Sequence, residues 1–165
     1  MPIEITMSMQ GAREFEKLLE RAEKSGHDMS NPLSKSAFYM LDSVMRNFEA
    51  GGRPDRWRDW SVRYGAWRRS IGRPFGILML DVAVKASRPG RRGRVYGGDL
   101  RKGIHVPQVG KDFALVSAGK NAPYAAAQQF GRGLIPARPF MMFQEEDVSK
   151  IEGILRAWLD GVVTR

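Results

Sequence analysis

Tyr124-Ala125-Ala126-Ala127-Gln128-Gln129-Phe130-Gly131-Arg132-Gly133-Leu134-Ile135-Pro136-Ala137-Arg138-Pro139-Phe140 joins a small-residue turn of helix to a loop that ends on two prolines around one arginine. Pro136 and Pro139 fix their own φ and push the residues before them toward extended backbone, so Arg138 sits on a stiff loop. Phe140, Met141, Met142 and Phe143 are large and apolar and lead into a helix whose first turn carries Glu145, Glu146 and Asp147, acids that suit the positive end of a helix dipole. The stretch leaves two readings for Arg138 and Phe140. Either the arginine pairs with a carboxylate of its own domain while Phe140 anchors the core, or both meet a neighbouring subunit, because arginine and aromatic residues are enriched at interface hot spots.

Downstream, Val148, Ile151, Leu155, Trp158, Leu159 and Val162 form an apolar stripe at helical spacing, and Trp158 is expected to be buried. Upstream, a first helix after Ser8 carries Phe15, Leu18, Leu19 and Ala22 on one face, with Glu16, Lys17, Glu20 and Arg21 facing away, and stops at Gly26. A second, capped by Asn31 with Pro32 at its first position, lines up Leu33, Ala37, Met40, Leu41, Val44 and Phe48 and ends at Gly51-Gly52. The two form an N-terminal helical hairpin. From Pro54 onward Trp57, Trp60, Tyr64 and Trp67 recur at helical intervals. That face is either core or a platform for stacking bases. Ile77 to Val84 reads as a central strand, Gly97 to Ile104 as a turn and strand start, and Asp112 to Ser117 as a further strand after the Gly110 turn. The expected fold is α+β: one antiparallel sheet covered by the helical hairpin and the C-terminal helix. It forms a single domain over 1–165, divided into the hairpin (1–52), a basic aromatic helix with the sheet (53–120), and the proline loop with the last helix (121–165).

Composition limits the chemistry. Among 165 residues there is no cysteine and only two histidines, His27 and His105, which removes disulfides, thiolate metal sites and cysteine nucleophiles. No catalytic, metal or cofactor site is expected. The longest apolar run, Ile77 to Leu80, is too short to cross a membrane, and the start lacks a basic and apolar leader, so no membrane partner is expected. The net charge is +9, an attraction toward polyanions. From Arg53 to Lys102 fourteen basic side chains stand against four acidic ones, most of them arginine, the residue suited to bidentate contacts with phosphate or carboxylate. Arg88, Arg91, Arg92 and Arg94 lie in a loop without apolar residues. They are candidates for contact with DNA or with an acidic partner face.

Three segments resemble the Mu-like phage virion-morphogenesis proteins: Gly51-Gly52-Arg53-Pro54-Asp55-Arg56-Trp57, Gly97-Gly98-Asp99-Leu100-Arg101, and Tyr124 to Phe140, the last being the specific one. The likeness covers roughly Gly51 to Val163. Gln128 stands where that family commonly has histidine, and the path from Trp57 to Gly97 is longer, an inserted basic excursion around Arg88 to Arg94. The resemblance implies a non-catalytic structural part that completes tails at the head-tail junction. It further implies a homo-oligomeric ring, expected as a hexamer, with Arg132, Arg138 and Phe140 at the subunit interface. Adjoining connector and tail tube proteins would be its partners, and genomic DNA would pass through the lumen. The competing reading, carried by charge alone, is a basic non-specific DNA-binding module.

Overall fold

In chain order the elements are α1 (Ser30–Ala50), α2 (Val62–Ser70), β1 (Val84–Ala86), β2 (Arg94–Tyr96), α3 (Asp99–Lys102), β3 (His105–Val109), β4 (Ala114–Ser117), α4 (Ala125–Phe130) and α5 (Glu145–Val163). The computed structural model describes residues 28–70, 78, 84–86, 94–96, 99–118, 122 and 124–163, with Lys17, Glu20 and Lys24 besides. Those three are helical and exposed; the rest of the expected first helix lies outside the described residues.

Helix α1 buries Ala37, Met40, Val44 and Phe48 along one face, the stripe its apolar spacing dictates. It begins earlier than Asn31, with Met29 at the cap position. Local chemistry explains the shift, because the Asp28 carboxylate accepts the Ser30 N–H at 2.8 Å and satisfies a donor that helix geometry leaves free. That same bond holds the Asp28 carboxyl below its ordinary pKa. Pro32 falls in the first turn, where its missing N–H costs nothing. The helix stops where Gly51 turns left-handed at φ 70, with the Gly52 N–H closing back on the Asn47 carbonyl at 2.9 Å.

The strands pair antiparallel as expected, but among the described residues they form two pairs, β1 with β2 and β3 with β4, rather than one sheet. Asp99–Lys102 winds into a helical turn rather than starting a strand; it stands between β2 and β3 in the chain, and among the described residues no ladder joins the two pairs. The register of β3 on β4 slips between His105 and Gln108, around Pro107, which has no N–H to give the ladder. The Gly110 N–H bonds the Phe113 carbonyl at 2.7 Å and closes this hairpin, so that β4 starts at Ala114 rather than Asp112. Of the run Ile77 to Leu80, Leu78 is described, and it lies in a turn at φ 61, not in an extended strand. Helix α1 packs on β3, β4 and α5, which gives an α+β fold.

The aromatic segment after Pro54 also departs from one continuous helix. Residues 51–61 are non-helical, and α2 begins only after Ser61, whose Oγ accepts the Tyr64 N–H at 3.3 Å. The reason is packing. The Trp57 N–H bonds the Gly51 carbonyl at 2.7 Å, which turns the indole into the core, 5.8 Å from the Phe48 ring in an edge-on arrangement. Trp57 is therefore core, whereas Tyr64 and Trp67 on α2 are partly exposed. Phe140 completes the cluster at 5.4 Å from Phe48, with Val44, Leu100, Ile104 and Ala122 around it. Met40, Ile151 and Leu155 form a second cluster between α1 and α5. Trp158 is half-buried rather than buried; Leu155 fills the interior position of that helix.

Candidate functional site

The loop between α4 and α5 has a buried base and an exposed tip. Gly131, at φ 76, opens it, and a Cβ there would meet the Ala137 nitrogen at 3.0 Å and the Ile135 carbonyl oxygen at 3.1 Å. Only glycine fits both the conformation and the space. Arg132 and Ile135 then exchange two backbone hydrogen bonds, each of 3.0 Å, around Gly133 at φ 58. This tight turn lifts Leu134 fully into solvent, with 57 % of Phe130 and 40 % of Ile135 exposed beside it.

Arg138 forms the base. Its backbone N–H bonds the Gln128 carbonyl at 2.6 Å. Its guanidinium donates to the Arg58 carbonyl at 3.2 Å, the Gln128 Oε1 at 3.2 Å and the Asp59 carbonyl at 3.5 Å. One side chain thus ties α4, the loop and the segment before α2 together. Burial pushes the Arg138 pKa down, with Arg58 adding to the effect and Tyr64 and Asp59 opposing it; an arginine nevertheless stays charged. Its acceptors are carbonyl and amide oxygens, where the sequence reading offered a carboxylate. Gln128, at the position where the resembling family commonly carries histidine, is one of the guanidinium's acceptors.

Of the three residues expected at a subunit interface, Arg132 is exposed while Arg138 and Phe140 are buried inside the chain. Arg88, Arg91 and Arg92 lie outside the described residues. Arg94 belongs to β2, its backbone opposite Ala86.

A second set of polar residues pins the loop from the other side, and sequence reasoning missed it. The Gln129 Oε1 accepts the Phe140 and Met141 N–H groups at 3.0 Å each, and its Nε2 donates to the Met141 carbonyl at 2.9 Å. Asn47 donates to the Phe140 carbonyl at 2.9 Å and accepts from Arg53 Nε at 2.8 Å. Arg53 continues to the Ser43 carbonyl at 2.9 Å and to Glu146 at 2.6 Å. Asp147 has no exposed surface and accepts from Ser43 Oγ at 2.7 Å and from the Gln144 N–H at 2.8 Å. The last bond is the return half of a capping box, so the Gln144 to Asp147 spacing was a signal available in the sequence. Asn47 and Gln129 carried none, because an amide on an apolar stripe does not announce which backbone groups it will meet.

Between base and tip lies an open cleft of about 810 Å³, bounded by Arg58, Trp60, Tyr64, Tyr124, Leu134 and Arg138. Arg68 stacks on Trp60 in its wall, 4.3 Å from the ring centroid. The arrangement is cationic and aromatic, suited to gripping a partner. Among the described residues no group of three or more histidine and carboxylate side chains is placed to hold a metal ion, and no helix is long and apolar enough to cross a membrane.

Comparison with known proteins bears on the same region. The chain is similar to the Mu-like prophage FluMu G protein 2 of Haemophilus influenzae, 31 % identical over 156 residues that make up 89 % of this chain and 90 % of that protein. No solved structure matches it significantly. The phage virion morphogenesis family matches residues 11–160. That span takes in α1, the polar clasp on Arg138, the exposed tip and nearly all of α5, and so this chain belongs to the phage virion morphogenesis family.

Proposed function

We propose that this protein is a structural part of the virion neck, a homo-oligomeric ring of six copies that completes the tail at the head-tail junction and acts by shape and contact rather than by catalysis. The observation that carries this reading is the loop between α4 and α5. A rigid, internally clasped base presents Leu134, Ile135, Phe130 and Arg132 to solvent, and exposed apolar groups beside an arginine are what a protein-protein contact buries. The partners are further copies of the chain, the adjoining connector and the tail tube. Arg138 and Phe140 serve the interface by holding the tip. Arg88, Arg91, Arg92 and Arg94 are the proposed contact with phosphates of the passing genome or with an acidic face of the adjoining ring.

Deleting the gene from a producing prophage tests the proposal. DNA-filled heads and separate tails should accumulate in electron micrographs, and supplying the protein in trans should restore joined particles. Joined, infectious virions at normal yield without the protein would overturn it. A lumen contact predicts duplex binding that weakens with salt at a slope of about −0.9 per phosphate neutralised. Replacing the four arginines by serine should flatten that slope.

A further inference from the structure

A ring of more than two copies needs two different faces on every subunit, one meeting the other of the next copy. The tip is one such face. The described residues contain a second apolar feature that shares no residue with it: a groove of about 340 Å³ between α1, β4 and the start of the α5 approach, lined by Ala37, Met40, Val44, Val116, Met142 and Phe143 among others. Leu134 and Ile135 line the cleft at Arg138 and not this groove, so the tip does not fill the groove of its own chain.

We infer that the tip of one copy, led by Leu134, seats in this groove of the next. Three observations fit that occupant. Leu134 is wholly exposed, and its turn is locked by the paired Arg132 and Ile135 bonds, so little order is lost on docking. Methionines 40, 141 and 142 line the groove, and unbranched, polarizable side chains reshape around an inserted apolar group. The flanking charges are complementary: Arg132 stands two residues before Leu134, and Glu145 two residues after Phe143. Both are exposed, and neither is ion-paired among the described residues. Insertion of an apolar tip with an arginine-carboxylate pair at its edge gives a head-to-tail contact that repeats from copy to copy.

This inference rests on the ring reading, and the test separates the two. The natural chain has no cysteine, so a Leu134→Cys, Met142→Cys double variant offers one pair of thiols. Mild oxidation should link neighbouring copies into covalent oligomers up to the full ring, whereas each single variant should give none. Independently, Leu134→Asp and Met142→Asp should each abolish the ring seen by native mass spectrometry while keeping a wild-type circular dichroism spectrum. An equal mixture of the two should give a dimer with one of each and nothing larger, since only one sound tip and one sound groove remain. Should Met142→Asp fail to fold, the cysteine pair still decides. Rings that survive both substitutions overturn the contact and leave the ring reading standing. Rings lost with Met142→Asp but not with Leu134→Asp give the groove to another occupant and also overturn it. A wild-type chain that stays monomeric at high concentration, with no cross-link from the cysteine pair, overturns both.

Discussion

Arg132 and Arg138 stand six residues apart in one loop and behave in opposite ways. Arg138 is 7 % exposed and gives its guanidinium to three oxygens of its own chain. Arg132 lies in solvent, its backbone bonded to Ile135 and its side chain without an ion pair among the described residues. The difference separates a side chain spent on holding the fold from one left open to solvent. A buried guanidinium must have its donors satisfied, because an unmet buried polar group costs more than a made bond returns. An exposed one is free to add a partner. The clasp at the base therefore makes the tip rigid without consuming the tip's own surface.

The strongest way to break that comparison is to remove the base. Phe140 has 1 % of its surface exposed and touches Phe48, so Phe140→Ala should cost about 3–5 kcal/mol in urea unfolding. A shift below about 1 kcal/mol would mean that the aromatic cluster is not the anchor and that the base-tip distinction fails. Arg138→Ala comes next. It strands the carbonyls of Arg58 and Asp59 and the side chain of Gln128, with an expected loss of roughly 1–3 kcal/mol for an unmet buried group. Arg138→Lys should not rescue it, since a single ammonium cannot span the acceptors that the planar fork reaches. A fully stable Arg138→Ala protein that no longer assembles would move Arg138 from base to tip. Gln129→Ala removes the acceptor of the Phe140 and Met141 N–H groups and belongs in the same range, about 1–3 kcal/mol. Its unfolding midpoint should fall with no change in the slope against urea.

Much of this was legible from sequence, for physical reasons that can be named. The α1 and α5 stripes, the Gly51 stop and the stiffness of the Arg138 loop depend on local spacing and on backbone limits at glycine and proline, which a chain carries in itself. The helix expected through Trp57 failed because packing overrode periodicity: Trp57 is in the Phe48 cluster and its backbone is tied to Gly51. Among the described residues the antiparallel strands fall into two short ladders, because Asp99–Lys102 takes a helical turn between them. At the site, the loop was visible but its inside and outside were not. Which of two arginines is buried depends on carbonyls contributed by Arg58 and Asp59, some eighty residues away, and no local pattern reports them. Likewise Asp147 looked like one of three helix-start acids; its spacing from Gln144 offered the capping box, but its burial follows from the approach of Ser43 on α1.

The smallest expected effect is also the sharpest. Leu134 is exposed and has no cavity to leave behind, so Leu134→Ser should change stability by no more than about 0.5 kcal/mol, as surface substitutions do. Gly133 is the control for the turn itself. It sits at φ 58 with nothing within 4 Å of a Cβ, so Gly133→Asn, tolerant of that backbone, should stay folded and assembling, while Gly133→Val should strain the turn. If the tip only covers the cleft beside it, Leu134→Ser and Gly133→Asn will be alike in every assay. If the tip is the contact, the two variants will melt together yet part company in assembly. Leu134→Ser would leave separate heads and tails, and Gly133→Asn would give joined particles. Equal yields of joined virions from both would end the claim that stability and contact are divided along this loop.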